Sequence, residues 1–307
     1  MLDTQVKSSH IRGMNKLPLA TRVQILSMLV EGSSLRSISR VADVSINTVS
    51  KLLVEAGQMA ERFHDRTVKG LQTEQLQCDE IWSFCYSKRF NVATNKNKEA
   101  DAGDIWTFTA LDKHSKVIVS WLAGDRTSEM AEHFLRDAWT RIDSDHVQVT
   151  TDAWRGYENT VYKVFGRGNS HVLQHKEYAT NQDSGPAHKY SPGKCVSCEK
   201  KGMFGKPDFK EASTSHVERQ NLTMRMSMRR FTRLTNAFSK KFDNHCYALA
   251  LYFFHYNFCR QHKSLRVSPA MQAGIAKELM SMADLCAMMD AANPPKKRGA
   301  YKKAVTK

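Results

Sequence analysis

Cysteine is scarce and unevenly placed: seven occur in 307 residues, and none precedes Cys78. An odd number scattered along a long chain argues against a disulfide framework and fits a reduced compartment. Long apolar runs are also missing. The longest, Cys246 to Cys259 (CYALALYFFHYNFC), is too short to span a bilayer and is interrupted by His255 and Asn257, so it predicts a buried helix. The opening residues, MLDTQVKSSHIRGMNK, lack the apolar core of a secretory signal, and we expect an intracellular protein with no membrane contact. Acid is in deficit as well. Asp and Glu number 31 against 46 Lys and Arg, a net charge of +15, which points to a polyanionic partner because bound cations release the counterions condensed on it.

The charge is concentrated. Ser215 to Lys241 carries seven basic residues against the single acid Glu218, and Pro294 to Lys307 carries six against none. Solvated faces and soluble tails produce such runs too, so the charge alone does not identify a binding surface.

The hydrophobic fraction, 41%, is enough for one sizeable core and a smaller module. Three short helices are predicted first, at Leu19 to Val30, Leu35 to Ala42 and Ile46 to Ala56, with Ser45 as an N-cap and Asp43 in the tight turn before it. Ile38, Val41, Val44, Val49, Leu52 and Leu53 supply the apolar anchors of a helix-turn-helix pair, which would present Ile46, Asn47, Thr48, Ser50 and Lys51 to a major groove. A small oligomerising bundle would need the same anchors. Gln58 to Thr73 is then a helical linker.

Beyond it the period changes. Leu76 to Tyr86, Ile105 to Asp112 and Val117 to Gly124 are runs rich in β-branched and aromatic residues and predict a strand meander. An amphipathic helix over Ser128 to Ile142, a buried strand at Val147 to Thr151, a helix over Ala153 to Phe165 and a strand at His171 to His175 follow. A helix beginning near Ser215, one around Phe238 to Arg260 and a last one from Pro269 to Asp290 complete the chain. This order predicts an α/β fold, a ribonuclease-H-like mixed sheet flanked by helices, behind an N-terminal all-α helix-turn-helix module. Ser87 to Gly103 and Tyr178 to Ser213 are polar insertions, read as an exposed hairpin and a loop.

Three acids stand out within that frame. Asp79 interrupts an apolar strand, where an ionised carboxylate needs compensation. Asp152 falls at the carboxyl edge of its strand, where ligand sites of α/β sheets collect, and Glu218 projects from a helix. Together they would make an all-oxygen site for a hard cation such as magnesium or manganese. Each also has a structural explanation: Asp152 as an N-cap, Glu218 in a capping box with Ser215, Asp79 paired with an arginine.

In order, CDEIWSF (Cys78 to Phe84), GDRT (Gly124 to Thr127), TDAWRGY (Thr151 to Tyr157) and HVERQNLTMR (His216 to Arg225) make the chain resemble the transposases of the insertion sequence one family, over about Leu76 to Asn257. The resemblance implies that Asp79, Asp152 and Glu218 are the catalytic, metal-binding Asp, Asp, Glu set of a DDE transposase. It places His216, Arg219 and Asn221 beside the site, with Arg225 and Arg229 further along to grip DNA phosphates. The expected chemistry is two-metal phosphoryl transfer on double-stranded DNA, one ion between Asp79 and Asp152 and a second between Asp79 and Glu218. Water would attack at an element end, and the freed 3′ hydroxyl would then attack target DNA. A homodimer or higher oligomer is implied, since both ends must be held. The expected division is 1–66 for the DNA-binding module, 67–262 for the catalytic domain with insertions near 87–103 and 178–213, and 263–307 for a C-terminal helix and basic tail.

The chain departs from that family in lacking a zinc ribbon ahead of its helices. A lone Cys195, Cys198 pair, with His171, His175 and His188 upstream, could instead hold Zn²⁺; two free thiols in a turn would look the same. A sequence-specific DNA-binding regulator would share the basic charge without needing the acids, and a ribonuclease-H-like nuclease would keep the acids without joining strands.

Overall fold

A computed structural model describes residues 16–94, 102–179, 195–232 and 237–294. The chain opens with α1 (Leu19–Val30), α2 (Leu35–Val41) and α3 (Ile46–Thr67). The Ser34 and Ser45 hydroxyls accept the Ser37 and Thr48 amides and so start α2 and α3. Asp43 adopts φ +48° in the turn between them, a left-handed conformation that a short polar side chain tolerates. Of the expected anchors Ile38, Val49, Leu52 and Leu53 are buried and Val44 is half-buried, and Ile25 and Leu26 of α1 are buried too. Val41 is not; it is 60% exposed.

Next come β1 (Gln75–Cys85), the single turn α4 (Arg89–Val92), β2 (Gly103–Asp112), β3 (Ile118–Gly124) and α5 (Ser128–Thr140). Then follow β4 (Gln148–Asp152), the short α6 (Arg155–Glu158) and α7 (Thr160–Phe165), β5 (Ser170–Tyr178) and β6 (Cys195–Phe204). After them run α8 (Ser215–Ser227), a 3₁₀ turn at Arg229–Phe231, α9 (Phe242–Phe254) closing in a π-helical turn at His255–Cys259, α10 (Pro269–Gln272) and α11 (Met282–Ala292).

The six strands form one mixed sheet in the order β3-β2-β1-β4-β5-β6. β1, β2 and β3 are a meander of antiparallel neighbours, β4 and β5 run parallel to β1, and β6 returns antiparallel on β5. The first five strands have the order and directions of a ribonuclease-H-like sheet, as expected. Alternation along the strands assigns the faces. Phe108 packs on Phe134 of α5, whereas Trp121 packs on Phe253 of α9, so α5 and α9 cover opposite sides.

Several expectations are corrected. The helical linker expected from Gln58 is not a separate helix but the second half of α3, which runs to Thr67 and packs on α9, with Phe63 edge-on to Phe254 and Phe258. The single helix expected over Ala153–Phe165 is α6 and α7. The one expected over Pro269–Asp290 is also split: Gly274, at φ +74°, follows α10, and a capping box of Ser281 and Asp284 starts α11. Strand β6 lies inside the expected loop. Its side chains are mostly exposed, so it has no alternation to betray it. The basic tail beyond 294, residues 180–194 of the insertion and Arg233 lie outside the described residues.

α3 and α9 approach closely at Gly57. A Cβ there would stand 2.4 Å from the Tyr247 Cβ and 2.5 Å from its carbonyl oxygen. Alanine normally stabilises a helix interior by about 1 kcal/mol relative to glycine. Here overpacking, at about 1–3 kcal/mol, should win. Gly57→Ala is therefore expected to lower the midpoint of thermal unfolding, read by calorimetry; an unchanged or raised midpoint would show that the two helices can separate freely.

Candidate metal centre

Strand β4, five residues long, pairs only with the first part of the eleven-residue β1. Their last pair is Cys78 with Thr151, so Asp79 and Asp152 are the next residues on each, where the two parallel strands part at the carboxyl end of β4. On its other side Asp79 still pairs with Thr109 of β2. The neighbouring Glu80 projects toward the α5 face, yet one carboxylate oxygen each from Asp79, Glu80 and Asp152 lies within 4.8 Å of the others. Among the described residues this is the one cluster of metal-ligand side chains.

Side chains from the strands hold α8 across this edge. The Gln77 Oε1 atom accepts the backbone N–H groups of His216 and Val217, at 3.0 and 3.1 Å, and Gln174 Oε1 accepts that of Thr214 at 2.8 Å. These amides are among the first-turn donors that a helix cannot satisfy itself. Thus β1 and β5 clamp the start of the helix that carries Glu218. Asn221, one turn on, is 4% exposed and donates from Nδ2 to Asp79 Oδ2 at 2.8 Å. A cleft of about 540 Å³ is lined by Asp79, Glu80, Asp152 and Glu218 together with Arg126, Lys176 and Arg225.

The structural explanations for the three acids fare differently. Asp152 does accept a backbone N–H, from Trp154 at 3.1 Å, but its other oxygen lies 3.7 Å from Arg126. Glu218 makes no capping box with Ser215. Instead Glu218 Oε1 accepts the Thr214 hydroxyl at 2.6 Å and is ion-paired with Lys176. The neighbouring Arg126 goes to Glu80 rather than Asp79: Glu80 Oε1 accepts from Arg126 Nε at 2.6 Å, and Glu80 Oε2 accepts from the Tyr157 hydroxyl at 3.0 Å. The guanidinium of Arg126 lies between two indoles, 4.6 Å from the Trp106 ring centre and 4.8 Å from that of Trp154.

One arginine for this group is too little. Burial, and then the facing Glu80 and Asp152, push the Asp79 carboxyl up to about 8. Burial and Asp152 push Glu80 up to about 7 despite Arg126, and burial raises Asp152 as well. Crowded carboxylates with an unmet demand for positive charge, offering only oxygen donors, fit a hard divalent cation.

The other expected site residues are dispersed. Asn47 and Lys51 are exposed and Thr48 and Ser50 half-buried at the start of α3, where the Thr48 hydroxyl bonds that of Ser45 at 2.9 Å. Arg219 is exposed on α8; Arg225 lines the cleft. Arg229 is exposed but lies past the helix, because Met228 turns extended at φ −128°, ψ 103°. Asn221, expected beside the site, is buried there against Asp79. Cys195 and Cys198 lie exposed on β6 rather than in a turn, and Cys198 Sγ accepts from Gln174 Nε2 at 2.8 Å. Among the described residues no histidine joins them in a metal-ligand group; His171 is buried and bonded to Thr151, His175 is exposed on β5, and His188 lies outside those residues. Glu80, Arg126 and Tyr157 were overlooked although CDEIWSF, GDRT and TDAWRGY contain them.

The raised carboxyls define a stability test. A carboxyl whose folded value lies above its unfolded one opposes folding once ionised, so the penalty grows as pH rises above about 4 and levels off above about 8. In EDTA, the melting-temperature advantage of Asp79→Asn over the parent should increase from pH 5 to pH 8. Mn²⁺ should raise the parent midpoint most at pH 8 and the variant's little. A variant no more stable at pH 8 than at pH 5 would contradict the crowding.

No protein-family model and no curated protein matches the chain. Among solved structures it is similar to the piggyBac transposase in a synaptic complex with hairpin DNA, at 8% sequence identity and a TM-score of 0.40, over 93% of this chain and 74% of that one. It is also similar to a chain of a pre-cleavage Mos1 transpososome, at 10% identity and a TM-score of 0.20, over 52% of this chain and 60% of that one.

Proposed function

We propose that this chain is a DNA transposase that cuts element ends and joins them to target DNA, with Asp79, Asp152 and Glu218 as its metal-holding catalytic acids. The observation that carries the reading is the register that leaves Asp79 beside Asp152 at the end of the parallel β1 and β4 pair, with Glu218 of α8 lining the same cleft. Magnesium or manganese bound by these carboxylates supplies Lewis-acid neutralisation of the charge on attacking and departing phosphodiester oxygens.

The protein's own groups do the positioning. Asn221 orients Asp79 by donating to Oδ2, which leaves the remaining lone pairs of the carboxylate for a ligand. Glu80 is held by Arg126 and Tyr157, and the two indoles fix the guanidinium, so one side of the cluster is rigid. Arg219, Arg225 and Arg229 offer charge to phosphates of a strand crossing the cleft, a sequence-independent grip. Asn47, Thr48, Ser50 and Lys51, at the N-terminal end of α3, suit a helix entering the major groove of an element end. Within this reading residues 1–66 recognise DNA, 67–262 catalyse and 263–307 support them, in a dimer or larger assembly that holds two ends.

Asp79→Asn, Asp152→Asn and Glu218→Gln are each expected to lower Mg²⁺-dependent nicking of element-end DNA by about 1,000-fold, near 4 kcal/mol of barrier, with duplex affinity retained. A variant that nicks and joins at the parent rate would remove its residue from the proposed set. Lys51→Ala should weaken duplex binding and reduce the slope of log affinity against log salt by about 1. An unchanged slope would take Lys51 away from the phosphates.

A further inference from the structure

Glu218 lines the cleft, but its carboxylate is outside the cluster of Asp79, Glu80 and Asp152. The reason lies on β5. The Lys176 ammonium is ion-paired with Glu218 Oε1 and also donates to the Thr214 hydroxyl at 3.1 Å, while that hydroxyl donates to the same Glu218 oxygen at 2.6 Å. The lysine side chain is only 19% exposed, so its stem is packed and its charge is held at this point rather than waving in solvent. Thr214 is itself fixed, 1% exposed and tied through its amide to Gln174.

Two groups of acid in one cleft are thus compensated in different ways. Glu80 has an arginine, which also lies 3.7 Å from Asp152, and Asp79 is bonded to the neutral Asn221, whereas Glu218 is paired with a lysine. An ammonium and a divalent cation cannot both sit against one carboxylate without strong repulsion at that separation. From this arrangement, and resting on the metal-centre reading above, we propose that Lys176 is a built-in counter-cation occupying the place of a second divalent ion at Glu218. The protein then takes its first ion at Asp79 and Asp152 readily. The second enters only as the Lys176 ammonium leaves.

Lysine is suited to that exchange. It offers a compact charge on a flexible stem, with no planar fork to lock it to the carboxylate as Arg126 is locked to Glu80. A purely structural role, tying β5 to α8, would make Lys176 matter for stability and leave ion binding unchanged.

The experiment is Mn²⁺ titration of the full chain, read by electron paramagnetic resonance of free Mn²⁺ and by calorimetry. The parent is expected to bind one ion more tightly than the other. Lys176→Met, which keeps the packed stem, should tighten the second ion by about 10-fold or more, and Lys176→Arg, which keeps the charge, should not. The Lys176→Met, Glu218→Gln double variant should lose that gain and keep the first ion. Second-ion affinity equal within about twofold in parent and Lys176→Met, with the first ion intact, would overturn the proposal and spare the metal-centre reading. A gain that survives in the double variant would also overturn it. Absence of any Mn²⁺ binding in parent and variants overturns both.

Discussion

Negative charge forced together at the end of two parallel strands is the constraint from which the other features of the cleft follow. Main-chain pairing fixes Asp79 and Asp152 side by side because β1 and β4 are hydrogen-bonded up to the residue before each. The paired strands hold the two backbones there, and Glu80 adds a third charge from the opposite face. Their mutual repulsion and desolvation cost must be met by cations, by protons or by a bound metal. Burial and the facing carboxylates hold Asp79 and Glu80 above the usual carboxylate range, even with Arg126 beside Glu80.

The surrounding architecture holds that conflict in place. Gln77 and Gln174 tie the first turn of α8 to β1 and β5, so Glu218 cannot drift from the sheet edge. The α1–α2 turn reaches the other end of the same helix: a Cβ on Gly32 would stand 2.9 Å from the Ser227 carbonyl oxygen. The N-terminal helices are therefore packed against the helix that carries the third acid. Through α3 and α9 they also share one continuous apolar core with the sheet.

Elements whose burial follows one period were legible in the sequence. α1 and the main strands were found within a few residues, because apolar side chains face the core at regular spacing. Contacts between distant segments were not. A helix over Gln58 to Thr73 was legible, but not that it continues α3 and brings Gly57 and Phe63 against α9. β6 is an edge strand with mostly exposed side chains, so only its partner β5 identifies it. The acids show the same division. Asp79 and Asp152 were legible as charges at strand positions, and Glu218 as the single acid of a basic segment. Their counter-ions were not, since Arg126 and Lys176 reach them from strands and loops far along the chain. Asn221 was legible as a neighbour of the site, but its bond to Asp79 was not, since only the fold brings the two segments together.

Diffraction at the manganese absorption edge, from crystals soaked in Mn²⁺, tests the central claim most directly. The account predicts an anomalous peak coordinated by the Asp79 and Asp152 carboxylates, which disappears in crystals of Asp79→Asn. A cleft without a peak at saturating Mn²⁺, or a peak unaffected by that substitution, would contradict it.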